Sequence, residues 1–186
     1  RYSYDWAGLW LINTHNGVKG RLSPIDINDY PSVKQYLDLH WEKIKKREDK
    51  GITPYNLRNC AYMDDFNKPK IVYREIGTDM DACLLSEEFV VNNKLYILTG
   101  NHLEYLIAFF NSRVFNKILM KAANITGGKG ADFMYNVPVP MPSQSILQAI
   151  SATDFACNME AQKHVDVLFF ELLGLSEQER SWISSE

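Results

Sequence analysis

One stretch of this sequence mixes positive charge with aromatic rings in a pattern suited to a polyanion. From Lys43 to Arg74 nine basic residues stand against four acids, a local charge of plus five. The basic set is Lys43, Lys45, Lys46, Arg47, Lys50, Arg58, Lys68, Lys70 and Arg74, and Tyr55, Tyr62, Phe66 and Tyr73 are interleaved with it. Cationic side chains neutralise phosphates, while flat rings among them can reach bases or stack on flipped ones. A second block, Arg113, Lys117, Lys121 and Lys129, adds plus four with no acid between its ends. The rest of the chain carries minus twelve, so a net charge of −3 hides a polarised molecule. Such polarisation fits a partner like nucleic acid, with the acidic remainder facing elsewhere. A plainer explanation covers part of the pattern. Lys43, Lys45, Lys46 and Arg47 fall in the last turn of an expected helix, where cations favour the dipole. It leaves out Arg58, Lys68, Lys70 and Arg74, which fall in loop and strand.

Motifs that would carry catalysis are missing. Thr126-Gly127-Gly128-Lys129-Gly130 is not a phosphate loop, because Gly130 follows Lys129 where GxxxxGK needs Ser or Thr. It reads as a flexible loop whose backbone N–H groups could lie against DNA phosphates. No GxGxxG follows a strand, so no dinucleotide or S-adenosylmethionine pocket is expected. His15, His40, His102 and His164 are scattered, without HExxH or a Cys/His cluster, so no metal is expected. Asp64-Asp65 and Glu87-Glu88 are adjacent carboxylates that point apart, and GxSxG is absent. No residue is assigned a catalytic role.

Local patterns outline the elements that would position the basic residues. Gly8 to Asn13 reads as a strand, followed by a turn at His15-Asn16-Gly17. Pro31 opens a helix with Val33, Tyr36, Leu37, Trp41 and Ile44 on one face and Gly51 just beyond its end. Ile71 to Tyr73, Phe89 to Val91 and Leu95 to Leu98 are expected strands, the last two joined as a hairpin over Asn92-Asn93. Asn101 with Glu104 predicts a capping box for a helix lined by Leu103, Leu106, Ile107, Phe110, Val114 and Ile118. Prolines at 138, 140 and 142 favour an extended connector. Residues 145–173 read as helical, Gly174 as the stop, and Ser176 with Glu179 as the cap of a last short helix.

A chain of 186 residues with 46% hydrophobic and 12% aromatic content can bury a core of its own. No run of eighteen apolar residues exists, so no membrane partner is expected. The chain reads as a fragment of a longer protein, starting at Arg1 without a leader. Cys60, Cys83 and Cys157 are odd in number and unclustered, which fits a reducing, cytoplasmic compartment and packing as small apolar residues. The expected class is α+β: a small twisted sheet or partial β-barrel with packed helices over residues 1–142, and a C-terminal helical segment, 143–186, packed on it.

A family resemblance rests on several motifs taken in order. They are Arg47-x-Asp49-Lys50-Gly51, Tyr55-x-Leu57-Arg58, Lys68-Pro69-Lys70-Ile71 and Tyr105-Leu106-Ile107-Ala108-Phe109-Phe110-Asn111-Ser112. Val137-Pro138-Val139-Pro140 and Phe170-x-x-Leu173-Gly174-Leu175-x-x-Gln178-Glu179 complete the pattern. It resembles the TaqI-like C-terminal specificity domain, the target-recognition domain of adenine-specific DNA methyltransferases and fused type II restriction–modification enzymes. The resemblance implies a double-stranded DNA partner and a separate, N-terminal methyltransferase domain that binds S-adenosylmethionine and methylates adenine N6. That catalytic domain carries an Asn-Pro-Pro-aromatic motif, and this chain has no Pro-Pro pair. A nuclease, where the parent has one, would also lie outside the chain.

Within that picture Lys45, Lys46, Lys68, Lys70 and Lys129 are expected on phosphates, which position a domain without reading sequence. Arg47, Arg58 and Arg74 have the fork geometry for guanine, and Tyr55 the ring to approach bases. Asn124 or Asn136 could pair with an adenine edge. A pI near 5.8 departs from the usual basic DNA-binding domain, so a basic catalytic domain would share the electrostatic work. A rival reading is a non-catalytic protein-interaction or regulatory module that works through its acidic tail, minus five from Ile150 to Glu186.

Overall fold

A computed structural model of the chain describes residues 4–86, 89–121, 129–153 and 159–185. Two compact units emerge: Trp6–Asp64, and the chain from Asp65 onward together with Tyr4 and Asp5. The architecture is α+β, with a three-stranded antiparallel sheet, helices and C-terminal helices.

The smaller unit is mostly loop around short helices. Pro31 takes the first position of α1, Pro31–Asp38, where its missing N–H costs nothing. The helix expected to run on past Trp41 instead breaks, and α2, Trp41–Ile44, follows separately. The His40 N–H turns back to Leu37 O, a tighter closure than the α-helical one, with His40 at φ −110°. The strand expected from Gly8 to Asn13 does not form. Leu9, Trp10, Leu11 and Ile12 are exposed, and the segment pairs with no strand among the described residues. An apolar run does not supply the ladder partner a strand requires. The turn falls at residues 19–21, just after the expected His15-Asn16-Gly17, and is closed by an antiparallel bridge between Val18 and Leu22. Gly17 there has φ +74°, and a Cβ would sit 2.7 Å from Pro24 N, so only glycine fits.

In the larger unit β1 (Lys70–Arg74) is the central strand, flanked by β2 (Cys83–Leu85) and β3 (Leu95–Leu98) in the order β2-β1-β3. Ile71 faces Leu84 on one side and Leu98 on the other. The expected strand from Phe89 to Val91 is irregular, and β3 pairs with β1 rather than forming a hairpin over Asn92-Asn93. Phe89 instead meets Tyr4 edge to face, with centroids 4.9 Å apart. The sheet's place was taken by Cys83–Leu85, whose three residues are too few to show an alternation in sequence.

Behind the sheet lie α3 (Leu103–Asn111), a π-helical turn at Phe115–Leu119 and α4 (Ala131–Tyr135). Three C-terminal helices follow: α5 (Gln144–Ser151), α6 (Met159–Leu172) and α7 (Glu177–Ser184). The helical run read over 145–173 is thus two helices, with residues 154–158 outside the described set. Ile71, Tyr105, Phe109, Phe110, Phe115, Ile150, Val165, Phe169 and Ile183 share one core, so the tail's aromatics Phe169 and Phe170 are taken inside. The Asn101–Glu104 capping box does not form. His102 holds the cap position of α3 at φ +56°, and Glu104 instead accepts from Ser151 Oγ at 2.7 Å. At α7 both halves of the Ser176–Glu179 box are present, and Gly174 lies at φ +63°. The proline segment has no regular structure, and Pro140 O accepts the Tyr105 hydroxyl at 2.6 Å. Among the described residues no helix is long and apolar enough to cross a membrane.

Candidate nucleic-acid interface

In the smaller unit the basic residues line a loop built around Asn56, which is 1% exposed. Its amide donates to Ile25 O at 2.9 Å and to His15 O, and its side-chain oxygen accepts from the Thr53 hydroxyl. Its own carbonyl accepts from Gly51 N and from Arg47 Nη2. Arg47 also donates to Pro54 O at 3.0 Å, while its Nε is buried without a partner. The Arg47 guanidinium is therefore a clamp inside the loop, with its fork turned onto backbone carbonyls. Asn16 seals the other side, accepting from Ile52 N and packing where a Cβ on Gly51 would have to go. A bridge from Lys50 to Leu57 closes the loop, and Thr14 ties it to the chain start through Tyr55 O and Leu57 N.

What this frame presents to solvent is Lys43, Lys46, Lys50 and Arg58. Arg58 pairs with Asp49 at 3.3 Å, both largely exposed, and Lys45 pairs with Glu42. Exposed pairs of this kind are weak and exchange readily for a phosphate or a base. Tyr55 is turned inward in function: its hydroxyl donates to Asp38 at 2.6 Å and its ring lies 5.4 Å from Trp41. The Tyr55 hydrogen bond, with Lys34 beside it, holds the Asp38 carboxyl below its ordinary range. An open groove of about 790 Å³ runs alongside, lined by residues 16–24 and 59–61, including Lys19 and Arg21. Arg21 forms an ion pair with Asp64.

In the larger unit the basic residues divide sharply by burial. Lys70 is fully buried in β1 and donates to Ser86 O at 2.8 Å. Lys129 is 1% exposed and donates to Asp79 O at 2.5 Å, and burial lowers its pKa. Residue type alone placed both on phosphates; in this conformation neither ammonium reaches solvent. Lys68 and Arg74 are exposed, paired with Asp65 and Asp81 at 2.7 Å each. The second basic block is largely occupied within the unit. Lys117 donates to Ser185 O, Arg113 to Ser184 O, and Lys117 and Lys121 lie 5.5 and 5.0 Å over the Trp182 ring. Asn136 is exposed and donates to Asp132 O. Asn124 lies outside the described residues, as do Gly127, Gly128 and Cys157. Cys60 and Cys83 are free and half-buried, and burial pushes the Cys83 thiol up. Among the described residues no group of His, Cys, Asp or Glu could hold a metal.

Several residues that matter were given no individual role from sequence, although Asn111 falls within a motif of the family resemblance. Asn111, fully buried, donates to Ala82 O and accepts from Ala82 N, behaving as an extra strand residue beside the β1–β2 loop. Asn116 accepts from Met80 N and donates to Phe110 O and Ser112 O. Asp81 between them has φ +46°. Spacing does not mark these roles, because Ala82 and Met80, which Asn111 and Asn116 hold, lie 29 and 36 residues away.

Residues 18–132, more than half of the chain, match the family model of the TaqI-like C-terminal specificity domain. No curated protein matches the chain.

Proposed function

The chain belongs to the TaqI-like C-terminal specificity domains, and from that premise we propose which enzyme it serves and how it reads its target. Domains of this family recognise DNA targets in restriction–modification enzymes. Here the target is a short double-stranded sequence, and the parent enzyme methylates adenine N6 through a domain outside this chain, with a nuclease where the parent cleaves as well. Residues 1–142 carry the DNA-facing residues in this reading, and the helical 143–186 braces the sheet and α3 of the larger unit.

The observation that carries it is the family match across 18–132, the span that contains every basic residue assigned to DNA. The loop around Asn56 supports it further: a hydrogen-bonded polar frame presents Lys46, Lys50 and Arg58 outward, as a reading surface requires. Lys45, Lys46 and Lys68 serve phosphates, and Arg58 and Arg74 serve base edges. Lys70, Lys129, Arg47 and Tyr55 hold the surface in place. S-adenosylmethionine is the cofactor of the parent enzymes of this family. The described residues do not fit it: their three antiparallel strands offer no crevice at parallel strand ends and no glycine cradle after a strand.

Modified-base sequencing of DNA from a methylation-free host expressing the full-length protein tests the proposal. One short motif carrying N6-methyladenine throughout is expected. Soluble expression with no modified motif, and no DNA binding by the chain, would overturn it.

A further inference from the structure

The geometry points to Arg74, held in aim by Asp81, as a side chain that reads guanine in the major groove. The inference rests on the DNA-recognition reading and adds the base and the device. Arg74 ends the central strand, where the buried run of β1 gives way to one exposed position. Its side chain is 61% exposed, yet its Nη2 donates to Asp81 Oδ2 at 2.7 Å. One N–H of a five-donor fork is thereby fixed, and the remaining donors keep an open edge of the kind guanine O6 and N7 accept.

Asp81 is itself over-determined. Its φ of +46° is uncommon for a residue with a side chain. Both neighbours are buried and locked: Met80 N donates to Asn116 Oδ1 at 2.7 Å, and Ala82 exchanges two hydrogen bonds with Asn111. Lys129 fastens the same loop through Asp79 O and Glu75 O. Strain maintained by so many contacts is characteristic of positions that present a side chain. Charge separates base reading from phosphate clamping. Arg74 is already paired with the Asp81 carboxylate, so a phosphate gains less from its charge, and directional hydrogen bonding is the property of the guanidinium left for use.

Selection of bound duplexes from a random pool tests this, using the chain, Arg74→Lys, Arg74→Ala and Asp81→Asn. The unaltered chain is expected to enrich a motif containing a guanine whose preference disappears in both Arg74 variants. Affinity for the original motif falls roughly 5- to 150-fold in Arg74→Lys. The salt dependence of Arg74→Lys stays unchanged because its charge remains. Asp81→Asn keeps a residue tolerant of positive φ and weakens preference at that same guanine alone, with unchanged thermal unfolding. An Arg74→Lys variant that enriches the same motif at the same strength overturns the inference while leaving DNA recognition intact. An unaltered chain that enriches no motif overturns both. Unchanged guanine preference in Asp81→Asn removes Asp81 as the positioning residue.

Discussion

Asn111 uses both ends of its amide on a single backbone residue, so its removal strands two buried groups at once. Asn111→Ala leaves the N–H and C=O of Ala82 unpaired in a fully buried setting. The expected loss is about 2–4 kcal/mol of unfolding free energy, measured by urea denaturation. Tyr105 gives the residue scale its pH signature. Burial pushes its hydroxyl up to about 12, above an unfolded value near 10, and the hydroxyl donates to Pro140 O. A raised folded-state pKa contributes stability that is complete below pH 10 and is lost as pH climbs toward 12. Tyr105→Phe should lower stability by about 1 kcal/mol at neutral pH and flatten the alkaline decline. Tyr73, also pushed to about 12, should keep part of that decline in the variant. Denaturation midpoints from pH 8 to about 12 check this, and an unaltered alkaline slope would count against it.

At the scale of elements, the loop around Asn56 separates residues that hold from residues that touch. Arg47→Ala removes donors from Pro54 O and Asn56 O, and the whole loop should loosen. DNA affinity is expected to fall by a similar factor on all sequences, with the enriched motif unchanged; a motif altered at one position only would mean that Arg47 reads a base. The sequence foretold the elements whose signals are local. Pro31, Gly174 and the Ser176–Glu179 box all act within a turn of where they stand, and each was found where expected. Strand pairing is not local. Leu9 to Ile12 looked like a strand and has no partner, while Cys83–Leu85 looked like nothing and is an edge of the sheet. Burial of cations was invisible for the same reason: Lys70 and Lys129 differ from Lys46 only in carbonyls and loops brought from elsewhere. At the site, Arg58, Lys68 and Arg74 are exposed as their type suggests, but the acids that steer them were counted only as charge to subtract.

For the whole molecule, pairing and burial reduce a long inventory of cations to a short one. Of the cations proposed for phosphates, Lys46 is exposed, and Lys45 and Lys68 face only the surface acids Glu42 and Asp65. Three phosphate contacts predict that log affinity falls with log salt at a slope of about −3 for the chain alone. Titration between low and physiological salt checks this, and a slope near −8 would mean that the paired cations open on binding. The placement of the indoles carries a practical consequence. Trp6, Trp10 and Trp41 lie in the smaller unit, and Trp182 lies in the larger, beneath the ammonium groups of Lys117 and Lys121. Replacing the first three with Phe leaves a single emitter tied to α7, so the colour and intensity of its fluorescence follow one unit's unfolding without interference from the other.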